Sequence, residues 1–139
     1  MIDAIAYLRC QDLIYRLWNA LDHRRLDDVM SRLTPDARWQ RERWYEGEAD
    51  IRAALNARPA DLRIRHALTN LIVDAEGDGY RTRFLMVPQM AMASAGQDAP
   101  FEAEPMATVA DMIVRIVRRD EEWLVSEIAF DAVFQAKAR

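Results

Sequence analysis

The sequence predicts an α+β fold in which N-terminal helices pack on a strongly curved antiparallel or mixed β-sheet. Two observations carry this prediction: apolar residues recur at three-and-four spacing in the first part of the chain, and after Pro59 the period changes to two. A length of 139 residues predicts a single domain, 1–139. The apolar stripes of the helices and the apolar faces of the strands are both buried only if the sheet curls over the helices. This predicts a cone with a pocket inside.

The first half of the chain is predicted to be mainly helical. The predicted elements are a helix from Ile2 to Leu21, a short helix from Leu26 that Thr34-Pro35 ends, a strand from Ala37 to Trp44, and, after a turn at Gly47, a helix that ends before Pro59. The second helix is expected to stop before the proline because the residue preceding a proline avoids the helical region.

The second half is predicted to form the sheet. The predicted strands are Leu62 to Val73, Tyr80 to Met90, Ala107 to Arg118 and Trp123 to Phe134, with a loop of small residues from Ala93 to Pro105. The turn Glu76-Gly77-Asp78-Gly79 supplies the positive-φ residues of a hairpin. Strict alternation places Leu62, Ile64, His66, Leu68, Asn70 and Ile72 on one face of the first strand.

Composition excludes several classes of function. The chain has 23 acidic and 19 basic residues and a net charge of −4, so no nucleic-acid partner is expected. Cys10 is the single cysteine, and no metal-binding spacing, glycine-rich phosphate loop or GxSxG motif occurs. We therefore expect no metal and no cofactor. Without a basic leader or an apolar run of roughly 18 residues, a cytoplasmic protein without a membrane partner is expected.

Two residues are candidates for proton transfer. His66 lies between apolar residues on its strand face, so its imidazole points into the interior, as a general base or as a core histidine with its hydrogen bonds satisfied. Asp22 ends the apolar stripe of the first helix, where its carboxylate either turns back toward the sheet or stays in solvent. Together they would form a base and the group that orients it.

Other side chains are candidates for substrate contacts. Asn70 shares the predicted face of His66 and would bind a substrate carbonyl or satisfy a backbone group where the strand bends. Tyr15 would donate a hydrogen bond to a developing oxyanion or hold its hydroxyl at the surface. The predicted apolar wall of the pocket consists of Trp18, Trp39, Phe84 and Met86. Asp111 and Arg115 are expected to form an ionic network with Glu127.

Four segments resemble the SnoaL-like branch of the nuclear transport factor 2-like superfamily. They are ALDHRRLDDVMSRLTPDARW (20–39), GEADIRAAL (47–55), RIRHALTN (63–70) and DMIVRIVRRDEEWLVSEI (111–128). The resemblance covers nearly the whole chain and implies the cone-shaped, cystatin-like architecture of polyketide cyclases, scytalone dehydratase and a dehydrochlorinase. In the dehydratase and dehydrochlorinase members, an aspartate at the position of Asp22 pairs with a histidine at the position of His66, and the histidine removes a proton from the substrate.

The resemblance leads to one hypothesis and two alternatives. The hypothesis is a lyase or isomerase without a cofactor that abstracts a proton from a hydrophobic small molecule. The alternatives are a non-catalytic binding or dimerisation module and a structural β subunit of an aromatic ring-hydroxylating dioxygenase, which looks similar at RHALTN and IAFDAVFQAKA. A homodimer is expected from the family and from an apolar strand face comprising Ala110, Met112, Val114 and Ile116.

Overall fold

Three helices and one mixed sheet make up the computed structural model, which describes residues 2–104 and 108–137. The helices are α1 (Ala4–Asp22), α2 (Leu26–Ser31) and α3 (Gly47–Asn56). The strands are β1 (Leu33–Gln40), β2 (Trp44–Glu46), β3 (Leu62–Glu76), β4 (Gly79–Met92), β5 (Val109–Arg119) and β6 (Glu122–Phe134). The strand order is β2-β1-β6-β5-β4-β3, with β1 and β6 parallel and the other pairs antiparallel. The predicted α+β fold is confirmed.

Helix α1 begins with a side-chain cap and buries one continuous stripe. The Asp3 carboxylate accepts a hydrogen bond from the Ala6 backbone N–H at 2.9 Å, which satisfies one of the unpaired donors of the first turn. The stripe predicted from the sequence is buried, and it comprises Ala6, Cys10, Leu13, Ile14, Leu17, Trp18, Ala20 and Leu21. Asp22, the last residue of α1, directly follows this stripe.

The core lies between α1 and the face of the sheet that the helices cover, here called the inner face. At its centre are side chains with at most 1 % of their surface exposed: Ile14, Leu17, Val29, Val114, Ile116, Val125 and Ile128. The inner-face residues of β5 alternate with outward-facing ones, as the period of two predicted. Branched aliphatic side chains thus fill this part of the inner face.

The strand predicted from Ala37 to Trp44 is wrong in its bounds. β1 already begins at Leu33 and includes Pro35, and three residues after Gln40 form a bend before β2. Proline is tolerated here because the pairing of β1 with β6 is irregular between Leu33 and Arg38, so the ladder does not need its missing N–H. The second helix therefore ends at Ser31 rather than at the proline.

Gly79 is required for a different reason from the one predicted. In the β3–β4 turn only Gly77 has a positive φ, of 58°. A Cβ on Gly79 would lie 2.1 Å from the Ile116 carbonyl oxygen of the neighbouring strand β5. The hairpin thus needs Gly77 for its turn and Gly79 for close approach between backbones.

The apolar face of β5 does not form a surface for dimerisation. Ala110, Met112, Val114 and Ile116 are each at most 3 % exposed, because they point toward α1 and form part of the core. The expectation that this face pairs two subunits is therefore wrong, and the homodimer itself stays a prediction.

The predicted start of this strand at Ala107 and the predicted loop end at Pro105 lie outside the described residues.

The outer face of the sheet carries ion pairs. Arg115 lies beside Glu127, with its Nη1 at 2.6 Å from Oε1, as the sequence predicted. Arg38 approaches the other carboxylate oxygen of Glu127 at 3.4 Å. Asp111 is not part of this network, because the register places it opposite Asp131 on β6.

Candidate active site

Asp22 and His66 are in direct contact. The Asp22 Oδ1 atom lies 2.5 Å from the His66 Nδ1 atom, and Asp22 Oδ2 accepts a hydrogen bond from the His66 backbone N–H at 2.8 Å. The side chains are only 6 % and 9 % exposed, respectively. One carboxylate therefore holds both the ring and the backbone of the same histidine, and the pairing left open by the sequence is present.

This contact determines which nitrogen of His66 is available for chemistry. An ionised carboxylate only accepts hydrogen bonds, so beside the ionised Asp22 the Nδ1 atom carries a hydrogen and donates a hydrogen bond to Oδ1. Nε2 then holds the lone pair on the opposite side of the ring. A neutral imidazole with one nitrogen fixed by a carboxylate is the arrangement of a general base, because the carboxylate also stabilises the imidazolium that forms.

The pair forms where the end of α1 meets the edge of the sheet. β3 is a terminal strand of the sheet, so one of its sides has no partner strand, and the Asp22 carboxylate accepts the His66 N–H there. Two arginines connect the same elements: Arg24, with a positive φ of 58°, donates to the Leu62 carbonyl at 3.0 Å, and Arg65 donates to the Asp22 carbonyl at 3.3 Å. The position of the helix end relative to the strand is thus well defined.

His66 lines a cavity of about 520 Å³ between the helices and the inner face. Its walls are mostly apolar, formed by Trp18, Leu21, Trp39, Ala54, Leu55, Leu62, Ile64, Met86, Met90, Met112 and Phe130, among others. A volume of this size is within the range of small-molecule sites, and an apolar lining with few polar groups is typical of them. The cavity is the predicted interior of the cone.

Three of the predicted wall residues line this cavity together with His66. Trp18, Trp39 and Met86 are among them, with the Trp18 and Trp39 rings 6.1 Å apart at an angle of 53°. Phe84 lies behind the wall: it is 4 % exposed and packs edge-on against Trp18, with ring centroids 5.4 Å apart. Phe84 therefore supports the wall from the core, and its predicted contact with a ligand does not fit this position.

Tyr15 lies outside the cavity. Its side chain is 40 % exposed and borders a shallow depression on the outer side of the pair, together with Asn19, His23 and Arg65. The stripe of α1 that faces the core passes through Ile14 and Trp18. Tyr15 follows Ile14 directly and therefore points about 100° around the helix axis from that stripe. His66 and Asp22 also border this depression, and Tyr15 approaches the pair from the solvent side.

Asn70 does not share the face of His66, so that prediction is wrong. Asn70 has a φ of 58°, and the pairing of β3 with β4 shifts between Thr69 and Ile72. The bulge adds one residue and reverses the alternation, so that Val73 is buried while Ile72 is 49 % exposed. Asn70 borders a separate groove with Asp111 and Asp131.

Sequence reasoning missed the charged residues at the cavity. Arg58, just after α3, and Arg41, in the bend before β2, both line it. Burial lowers the pKa of the Arg58 guanidinium, and the positive charges of Arg24 and Arg41 lower it further, whereas Asp22 raises it. Arginine nevertheless remains a cation in proteins. An arginine just after a helix usually interacts with the last carbonyls of that helix, so no sequence pattern indicated that Arg58 would line the cavity.

A second pair of polar residues lies at the same cavity. Glu42 and Tyr45 both line it, and the Tyr45 hydroxyl donates a hydrogen bond to the Glu42 carboxylate. This hydrogen bond lowers the pKa of Glu42 and raises that of Tyr45. Glu42 is therefore ionised and Tyr45 is protonated at neutral pH. Across residues 2–104 and 108–137, no group of three or more His, Cys, Asp or Glu side chains is arranged to hold a metal ion.

The chain belongs to the family described as the SnoaL-like domain, which matches residues 3–129. The fold is α+β with a largely apolar cavity beside the carboxylate–histidine pair, and the family match agrees with the resemblance of the sequence. No curated protein sequence matches the chain. None of the described helices is long and apolar enough to cross a membrane.

Solved structures share this fold at low sequence identity. A cystatin-like protein of unknown function from Nostoc punctiforme has a TM-score of 0.75 at 14% identity, covering 94% of this chain and 93% of that chain. A protein from Catenulispora acidiphila, in complex with S-DNPA, has a TM-score of 0.76 at 20% identity over 94% and 95% of the two chains. A protein from Novosphingobium aromaticivorans, provisionally named a scytalone dehydratase, has a TM-score of 0.76 at 11% identity over 97% and 91%. These likenesses show the fold.

Proposed function

We propose that this protein is a lyase or isomerase that needs no cofactor and abstracts a proton from a hydrophobic small molecule bound in the cavity. The observation that carries the proposal is the buried contact between Asp22 and His66 at the wall of an apolar cavity. A histidine held in this way has one ring nitrogen fixed by the carboxylate and the other free to accept a proton from a bound substrate. A similar pair in dehydratase members of the resembling family supports the same role.

The proposed chemistry begins at a carbon next to a carbonyl group. His66 Nε2 takes the proton, and the electron pair of the C–H bond moves toward the carbonyl as an enolate. In a dehydration, the enolate expels a β-hydroxyl group, which leaves as water after the imidazolium returns the proton to its oxygen. In an isomerisation, the imidazolium returns the proton to a different carbon. Asp22 stabilises the imidazolium in both cases.

The walls of the cavity favour a flat, apolar substrate. Trp18 and Trp39 present aromatic surface, and Met86 adapts its shape to the ligand. The Catenulispora protein with this fold was solved with S-DNPA, which supports a small molecule as the occupant of the cavity. A screen of oxygenated aromatic ketones would identify the compound.

Deuterium uptake tests the proposal without requiring the natural product. The protein is incubated in D₂O with a panel of aromatic ketones and β-hydroxyketones, and NMR measures loss of the α-proton signal and formation of any enone. We expect exchange or elimination with the wild type and a loss of about 100- to 10,000-fold in the His66→Gln variant. The matched control is His23→Gln, because His23 is the exposed neighbour of Asp22 and contacts the Asn19 carbonyl.

Two outcomes contradict the proposal. Equal exchange by the wild type and His66→Gln removes His66 from the reaction. Ligands that bind in the cavity but show neither exchange nor elimination indicate the alternative of a binding module. Thermal unfolding of His66→Gln checks that the variant is folded.

A further inference from the structure

Arg58 lines the cavity, and among the described residues one of its guanidinium nitrogens is buried without a hydrogen-bond partner. Several surface arginines, by contrast, pair with carboxylates, for example Arg43 with Asp50 at 2.9 Å and Arg52 with Asp27 at 2.7 Å. Within the part of the chain that the structure describes, Arg58 Nη2 is buried and has no hydrogen-bond partner. Its Nη1 reaches only the Leu21 carbonyl oxygen, at 3.5 Å. A buried donor of a charged group without an acceptor costs free energy, which a ligand that accepts the hydrogen bond would recover.

The carboxylates near Arg58 are already occupied. Both oxygens of Asp22 accept hydrogen bonds from His66, and the carboxylate of Glu42 accepts one from Tyr45. Of the other charged side chains that line the cavity, Glu42 is held by Tyr45 and Arg41 has the same sign as Arg58. The side chains that line the cavity thus include two guanidinium groups and the Glu42 carboxylate, and the nearby Asp22 carboxylate is bound to His66. An anion from outside would therefore supply the acceptor that the Arg58 donor lacks.

We propose that Arg58 binds a carboxylate group of the ligand, so that the cavity accepts hydrophobic acids in preference to neutral molecules of the same shape. The planar guanidinium matches a carboxylate with two parallel hydrogen bonds, which an ammonium group does not reproduce. Arg41 adds to the attraction by its charge. The inference deepens the proposed function, on which it rests for the assignment of the cavity as the substrate site: the substrate is an acid with an apolar body.

A matched pair of probes tests this assignment directly. 2-Naphthoate and 2-naphthamide have the same ring system and differ in charge, and their binding is measured by calorimetry or by quenching of tryptophan fluorescence. We expect the wild type to prefer the acid by about 10- to 100-fold, as for a hydrogen-bonded charged group. Arg58→Gln should remove this preference, and Arg58→Lys should retain only part of it. Arg52→Gln is the control, because Arg52 is a surface arginine on α3 that pairs with Asp27.

The possible results separate this inference from the proposed function. Equal binding of acid and amide by the wild type, no saturable binding of the acid, or an unchanged preference in Arg58→Gln each overturn the role of Arg58. His66→Gln should keep the preference for the acid while losing proton exchange. If the acid preference depends on Arg58 but the wild type exchanges no proton, the proposed reaction fails and the acid-binding site stands. Thermal unfolding of the Arg58 variants confirms that they are folded.

Discussion

The two ends of the inner face of the sheet differ in how they are filled. At one end, called here the closed end, branched aliphatic residues such as Val114, Ile116 and Val125 pack against α1 with almost no exposed surface. At the other, the open end, aromatic and methionine side chains such as Trp39 and Met86 surround the cavity. Both ends belong to the same strands and the same helix. The difference teaches that the type of apolar side chain, more than the fold, decides where space remains for a ligand.

The polar groups follow the same division. The open end holds the nearly buried His66 side chain and the half-buried Arg58, whereas the closed end holds the buried Thr82, whose hydroxyl donates to the Val114 carbonyl at 2.9 Å. Thr82 is satisfied within the protein. At the open end, among the described residues, Arg58 Nη2 has no hydrogen-bond partner. The proposed ligand binding and proton transfer both take place at this end.

The largest expected effect is at the open end and concerns activity. Asp22→Asn replaces an acceptor that fixes the His66 tautomer with an amide that can donate to it, so we expect turnover to fall by about 100- to 10,000-fold. The measurement is the initial rate on the substrate found in the screen. Asp12→Asn is the control, because Asp12 is an exposed carboxylate of α1 that pairs with Arg16 at 2.8 Å. Similar rates for both variants would contradict the orienting role.

The next effect is at the closed end and concerns stability. Ile116→Ala removes a side chain that is 1 % exposed and leaves a void, so we expect the free energy of unfolding to fall by about 2–5 kcal/mol. Met86→Ala should cost less, because Met86 already borders the cavity and makes fewer packing contacts. Urea unfolding of both variants measures the difference. An equal cost would abolish the proposed contrast between the two ends.

Substitution of Gly79 is a second test of how tightly the closed end is packed. Gly79→Ala forces a methyl group against the Ile116 carbonyl oxygen, and we expect a loss of about 1–3 kcal/mol in the free energy of unfolding. Gly77→Asn is the matched variant, since Gly77 has a positive φ of 58° and open space around it, and asparagine tolerates that conformation. Gly77→Asn should therefore be the milder change. A larger stability loss for Gly77→Asn than for Gly79→Ala would mean that the strands separate easily at this turn.

The smallest effect is a chemical one at Cys10 of α1. Burial raises the pKa of the Cys10 thiol to about 12, so that at pH 8 only about one molecule in ten thousand carries the reactive thiolate. We expect no alkylation by iodoacetamide in the native protein and full alkylation in urea, measured by mass spectrometry. Raising the pH toward 12 would expose more thiolate and increase the rate. Rapid native labelling at pH 8 would show that the closed end opens.

Local sequence patterns predicted the fold and the positions of Asp22 and His66, because the position of each residue follows from the pattern of its own helix or strand. The apolar stripe of α1 ends at Asp22, and the alternation of β3 turns His66 inward, so the two predictions met at the same place. The error at Asn70 has a physical cause, since a bulge interrupts the alternation on which that prediction depended.

The remaining residues of the site depend on how elements dock. Arg58 is half-buried and lines the cavity because of where the segment after α3 lies, and neither its spacing nor its neighbours in the chain reveal this. The bounds of β1 were missed because Pro35 is compatible with a strand only at an irregular pairing, which is a property of β6 as much as of β1. Tertiary context thus decides what single segments leave open.

The contact between Asp22 and His66 also has a consequence for folding. The two residues are 44 positions apart, and their hydrogen bonds join the end of the first helix to a strand that must first pair with β4. Contacts of such long sequence separation form only after the intervening chain has closed its loop. The recovery of the proposed proton-exchange activity during refolding should therefore lag behind the recovery of helical signal, so that this activity would report the last stage of assembly.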